Sequence, residues 1–206
     1  GGSFFLTGIA VRGLEPLTLV AVRISVAAVV LWAVVLARGS RIPRAPRIWG
    51  AFLVMGALNN AVPFFLIAWG QQSIPSGLAS ILNATTPLFT VLIGAAFLAD
   101  ERASARKFAG VLMGLAGVAV MMGLDTFAGQ GHALLPQLAV LGAALSYAFA
   151  GAYGRRFRRM GLDPILAAAG MVSGAWVIIT PSALLLEGVP QGVAAPYWLA
   201  AITIGI

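Results

Sequence analysis

Two stretches of the chain set amides and hydroxyls beside a proline inside otherwise apolar sequence. In the first, Asn59 and Asn60 are followed by Pro63. In the second, Ser80, Asn83, Pro87 and Thr90 recur at i, i+3, i+7 and i+10, the spacing of one helix face. A proline inside a helix removes a backbone donor and clashes with the preceding turn. The carbonyls it exposes are tolerated at membrane depth only next to protein or a water-filled cavity. Two such broken, polar-faced helices lying side by side would wall a cavity for a small molecule. The competing reading is that Asn and Thr only hydrogen-bond between helices. Asn59 and Asn83 adjoin the breaks and favour a pathway. For Asn60 and Thr85 the two readings balance, because neighbours on a helix point different ways.

Three further positions carry chemistry. Ser146 and Tyr147 place a hydroxyl and an aromatic with a polar tip in mid-span. They suit a substrate wall, or core packing with the tyrosine hydroxyl on a backbone carbonyl. Arg23 is the one basic residue inside an apolar run. An intramembrane charge is a functional candidate by default. It could also snorkel to the interface. A structural role near Glu15 or at a gate comes first, and contact with an anionic substrate second.

Other features exclude classes. There is no cysteine, so disulfides and thiolate metal sites are absent. Glu15, Asp100, Glu101, Asp125, Asp163 and Glu187 all lie at run ends or in gaps. A proton-driven mechanism through these helices therefore lacks an intramembrane carboxylate. His132 stands alone, without a second metal ligand. No Gly-x4-Gly-Lys-Ser/Thr loop and no nucleophile–base pair is present. The expectation is no enzyme, no cofactor and no metal.

The elements that must position these residues are membrane helices. Of 206 residues, 60% are hydrophobic and 9% charged, against about 25% charged in a soluble domain. A bilayer core needs ~20 apolar residues in a helix. Runs at 17–37, 48–70, 75–98, 104–123, 133–154 and 164–186 qualify as six complete spans. Residues 1–11 read as the end of an earlier span, and 196–206 as the start of a later one. The chain thus reads as the middle of a longer protein. The links at 71–74 and 99–103 are short, which makes neighbouring helices antiparallel in one all-α polytopic bundle. Gly110 and Gly114 form a GxxxG that serves internal packing or a homodimer contact.

Eleven of the thirteen basic residues fall in or beside three alternate gaps: Arg38, Arg41, Arg44 and Arg47; Arg102, Arg106 and Lys107; and Arg155, Arg156, Arg158 and Arg159. That distribution explains the net charge of +7 without nucleic acid. Basic gaps mark the cytoplasmic side, so the first span starts in the cytoplasm. Trp49 and Trp69 near run ends read as interfacial anchors.

The string GLEP at 13–16 returns as GLDP at 161–164, an interval of 148 residues. Ala21/Ala169, Ser25/Ser173 and Ala27/Ala175 match at the same spacing, and Trp49/Trp198 and Gly56/Gly205 one residue further on. Five spans separate the copies, so they face opposite sides of the membrane. Each copy reads as a turn whose acid and proline open the next helix. Inverted repeats are a transporter device, with substrate near the midplane at the repeat interface. Plain duplication is the alternative.

Residues 75–123 resemble the end of an EamA repeat of the drug/metabolite transporter superfamily. The resemblance rests on small residues opening the fourth run, Thr86-Pro87 at its middle, Glu101 after it, and Gly110 with Gly117. GLEP with Arg23 resembles the start of the same repeat. Ala99-Asp100-Glu101 departs from the commoner Leu-Gly-Glu. The resemblance implies ten helices in two inverted five-helix repeats, with residues 1–123 as the first repeat and 133–206 as the beginning of the second. It implies about 75–100 further C-terminal residues with a second proline-broken pair. It also implies a bacterial inner-membrane secondary transporter for small polar or amphipathic metabolites, amino acids among them, in the export direction. Asn59, Asn60, Asn83, Thr86, Ser146 and Tyr147 would contact substrate, with Pro63 and Pro87 as breaks. A lipid-translocating protein or a channel is the alternative.

Overall fold

Among the described residues six helices carry a proline at their first or second position, where its missing N–H and fixed φ are little handicap. The computed structural model describes residues 2–40, 42–97, 104–122 and 134–206, and among them every regular element is helical. In chain order these are α1 Gly2–Ala10, α2 Pro16–Ala37, α3 Pro46–Gly56, α4 Val62–Gly70, α5 Ser76–Asn83, α6 Thr86–Phe97, α7 Ala105–Met122, α8 Leu134–Arg159, α9 Pro164–Leu186 and α10 Ala195–Gly205. A π-helical segment, Ala57–Ala61, joins α3 to α4.

Among the described residues, five helices are long and apolar enough to cross a membrane: Pro16–Ala37, Pro46–Gly70, Ser76–Phe97, Leu134–Arg159 and Pro164–Leu186. The sixth expected span is helical as α7, but only Ala109–Val118 forms its apolar stretch among the described residues. Arg106 and Lys107 lie in its first turn. Glu101 and His132 lie outside the described residues, as do Arg41, Asp100, Arg102 and Asp125.

Helix α9 packs along α2 and α3, α10 packs on α1 and α2, and α8 packs on α4, α5 and α6. Leu19, Val20, Ile24, Ala61, Ala68, Val172, Ala175 and Ile179 form the largest buried cluster. At the arginine-rich end an aromatic chain links α2, α3 and α8. Trp32 stacks on Trp49 at 6.4 Å, Trp49 meets Phe52 edge-on at 5.6 Å, and Phe52 meets Phe157 at 5.6 Å.

Glycines set how closely the helices approach. A Cβ on Gly56 would strike the Met171 carbonyl and Ala175 nitrogen of α9. A Cβ on Gly205 would strike the Arg23 carbonyl and Val26 of α2. Arg23 and Met171 are themselves 148 residues apart. Gly174 answers from α9, with no room between its Cα and the Phe52 and Leu53 backbone. Small residues that admit backbone contact are the main packing device in a bilayer, where burial of apolar area gives little.

The two repeated strings use their letters differently. Gly161 takes φ +64°, the left-handed turn that ends α8. Gly13 instead makes room for the Tyr197 ring. Asp163 caps α9 by accepting from the N–H groups of Ile165 and Leu166, both at 3.0 Å. Glu15 makes no such cap. One methylene longer, glutamate suits the N-cap geometry poorly. The cap on α2 comes from Glu187, just after α9. Its carboxylate accepts from the Leu17 N–H at 2.9 Å, and from the Thr18 N–H and hydroxyl, both at 2.7 Å.

Because Gly56 faces backbone, Gly56→Ala should destabilise the protein by about 1–3 kcal/mol, read as a lower melting temperature in detergent. Gly50 has open space, so Gly50→Ala should be neutral or raise it. Equal effects would contradict the α3–α9 contact.

Candidate functional site

The first break follows from what Pro63 lacks. In the π turn the hydrogen bonds reach back five residues, and the Val62 N–H donates to the Ala57 carbonyl. In that register the Leu58 carbonyl would next be served by residue 63, which is proline and has no N–H. The hydroxyl of Ser146 on α8 donates to Leu58 O at 2.7 Å instead. Ser146 is thereby buried and committed to the backbone.

The second break solves the same problem locally. Helix α5 ends at Asn83 and α6 starts at Thr86. Pro87 cannot donate to the Asn83 carbonyl, and the Thr86 hydroxyl does so at 2.7 Å. Thr85, buried, donates to Leu82 O at 2.6 Å, and Thr90 to Thr86 O at 2.9 Å. Such hydroxyl-to-backbone bonds bend helices. Pro87 itself is exposed. The Asn83 Oδ1 is buried with no hydrogen-bond partner.

The amides at the first break are lightly engaged. The Asn59 Nδ2 donates to Asn60 Oδ1 at a long 3.4 Å and approaches Met171 Sδ at 3.8 Å. Asn60 is buried and Asn59 half-buried. The π turn is held between α8 and α9. Next to Ser146, Tyr147 lies near enough to Arg23 for the two to interact electrostatically. The Arg23 guanidinium sits over the Phe64 ring, 3.6 Å from its centroid. Arg23 forms no ion pair with Glu15.

One region therefore gathers Arg23 from α2, Asn59 and Asn60 from the π turn, Pro63 and Phe64 from α4, and Ser146 and Tyr147 from α8. Asn83, Thr86 and Pro87 belong to a second region. The two broken helices do not lie side by side as expected: each packs on α8, which carries the contact between them. In the GxxxG, Gly114 lies against Leu88 of α6, an internal contact, while Gly110 faces open space. Among the described residues, no group of three or more His, Asp or Glu could hold a metal.

The residues did not announce Phe64, Glu187 or Gln71. Phe64 lies six residues from the end of α4, and Arg23 seven from the start of the antiparallel α2, so matched depth was the available signal. Glu187 and Gln71 looked like gap residues. Gln71 is buried, with Nε2 donating to Phe4 O at 2.9 Å and Ser76 Oγ at 2.8 Å.

The model of the EamA-like transporter family matches residues 1–123. An Escherichia coli protein described as an uncharacterized inner membrane transporter, YedA, is 28% identical over 187 residues, covering 90% of this chain and 56% of the relative. A probable terminal-alkyne amino-acid exporter of Streptantibioticus cattleyicolor is 36% identical over 114 residues, 55% of this chain and 35% of the relative. A solved crystal structure with 26% identity covers all of this chain and 71% of its own, at a TM-score of 0.66. The chain spans about half the length of the first of these relatives.

Removing the Ser146 hydroxyl leaves Leu58 O without a donor, so Ser146→Ala should cost about 1–3 kcal/mol, measured by thermal unfolding. In a Pro63→Ala background, which restores an N–H, the same change should cost clearly less. Equal costs in both backgrounds would contradict the assignment.

Proposed function

The chain belongs to the EamA-like transporter family, and from that premise we propose that the protein is a secondary transporter that exports small polar or amphipathic metabolites, amino acids among them, by alternating access. The observation that carries this reading is the proline-broken α3–α4 helix. Its π turn holds two amides whose hydrogen-bonding capacity is largely unspent, at mid-span, between α8 and α9. A polar solute entering a bilayer loses water, and lightly engaged amides beside a broken helix replace it. The exporter named among the relatives supports both direction and substrate class.

In this reading residues 1–123 and 133–206 belong to inverted repeats. Supporting it, Gly56 and Gly205 press against carbonyls 148 residues apart. Pro63 and Pro87 allow α3–α4 and α5–α6 to bend as the repeats exchange conformations. Asn59, Asn60 and Asn83 contact substrate, with Tyr147 as a wall. Ser146 and Thr86 hold the broken backbone. Arg38, Arg44, Arg47 and the arginines of 155–159 face the cytoplasm of an inner membrane, by the positive-inside rule.

A lipid translocator would need a polar groove open to the bilayer. The groove between α2 and α9, about 420 Å³, is walled by Ala28, Val29, Trp32, Trp176 and Val177 with two serines. Both serines are engaged: the Trp32 indole donates to Ser173 Oγ at 2.8 Å and the Trp176 indole to Ser25 Oγ at 3.0 Å. That apolar lining favours a carrier.

Reconstituted in liposomes, the full-length protein should show saturable counterflow of amino acids. Asn59→Ala and Asn83→Ala should each raise KM by about tenfold or more, the loss of one hydrogen bond to a charged group. Unsaturable flux, or unaltered kinetics in both variants, would refute the proposal.

A further inference from the structure

Arg23 has an environment that its own chain does not complete. It lies seven residues into α2, about 10 Å below Pro16. A snorkelling arginine would extend its head past Pro16 to the interface. This one lies instead on the face of Phe64, six residues inside the end of α4. The ring offers its π face, and Tyr147 on α8 lies within electrostatic range of the guanidinium.

No carboxylate answers it. The described acids are Glu15, Asp163 and Glu187. Glu187 is spent on Leu17 and Thr18, and Asp163 on the start of α9 at the opposite end of the bundle. Glu15 is exposed and forms no ion pair with Arg23. A guanidinium carries five N–H donors in a planar fork matched to a carboxylate. The Arg23 guanidinium carbon lies 3.6 Å from the Phe64 ring centroid, and among the described residues no hydrogen bond from those donors is made to a side chain or carbonyl. Charges within membrane helices otherwise pair with one another or with backbone carbonyls; among the described residues this one does neither. The residue is only partly buried.

We propose that Arg23 on the Phe64 ring, aided by Tyr147 of α8, is the carboxylate subsite of the transport pathway, so that the transported molecules are carboxylates, α-amino acids foremost. The inference rests on the carrier reading above and names the group that reading leaves unspecified. The carboxylate lies in the Arg23 fork. The amides of Asn59 and Asn60, on the segment leading into Phe64, are placed for the substrate's amino end.

The test compares counterflow of one amino acid with that of its primary amide, in liposomes holding the full-length protein. Wild type should favour the acid. In Arg23→Gln the KM ratio of acid to amide should rise at least about tenfold, the loss of a charge-assisted pair, and Arg23→Lys should restore part of it. A ratio that stays put in Arg23→Gln overturns the subsite, whether both substrates slow together, as a structural arginine requires, or neither does. If Arg23→Gln does not fold, Tyr147→Phe decides: a raised ratio supports the subsite and an unaltered one overturns it. Wild type that carries neither compound overturns the carrier reading and the subsite together, and is distinguished by that outcome.

Discussion

The hydrogen bond from the Ser146 hydroxyl to the Leu58 carbonyl ties α8 to the one π turn described in the chain. It exists because hydrocarbon offers no donor of its own. Every backbone carbonyl at membrane depth must be met by the protein or by trapped water. Pro63 makes that requirement impossible to satisfy within α4, so a hydroxyl from α8 satisfies it. The arrangement lets α3–α4 stay broken without a large penalty, and the break is what positions Asn59 and Asn60 between α8 and α9. The Thr86 bond to Asn83 O does the same for α5–α6 from within its own turn. Both broken helices lean on α8, which makes it the shared wall of the two polar regions.

Around that wall the packing depends on absent side chains more than on apolar burial. Gly56 and Gly174 bring α3 and α9 to backbone contact, and Gly205 does the same for α10 and α2. The Glu187 carboxylate then closes the exposed start of α2, linking residues about 170 apart in sequence. Local capping at Asp163 and distant capping at Glu187 give the same electrostatic result at the two helix starts: a negative charge on unpaired N–H groups. Two nearly identical four-letter turns therefore put their glycine and acid to different jobs.

Much of the fold was legible in the residues because hydropathy and proline placement are local signals. Five of the six expected spans are long, apolar helices, and two of them hold a π turn at Ala57–Ala61 and a helix end at Asn83, close to Pro63 and Pro87. What was not legible depends on contacts between distant residues. For Ser146 the residues left a substrate wall and core packing both open, because its partner is a carbonyl 88 positions away. Glu187 looked like a loop charge because the N–H groups it caps are nearly the whole chain away. Arg23 was expected near Glu15, its neighbour in sequence, but three-dimensional depth pairs it with Phe64. The interposed α8 was invisible for the same reason: sequence order does not say which helices touch.

In the proposed carrier the first break opens onto a water-filled substrate path. The chain has no cysteine, so a single thiol at the break can be read without background. Asn59→Cys in the full-length protein in membrane vesicles would be treated with a membrane-impermeant thiol reagent. Labelling that a transported amino acid slows is the expected result. A thiol that never reacts while the protein is folded and transporting, or that reacts at one rate with and without substrate, would contradict it.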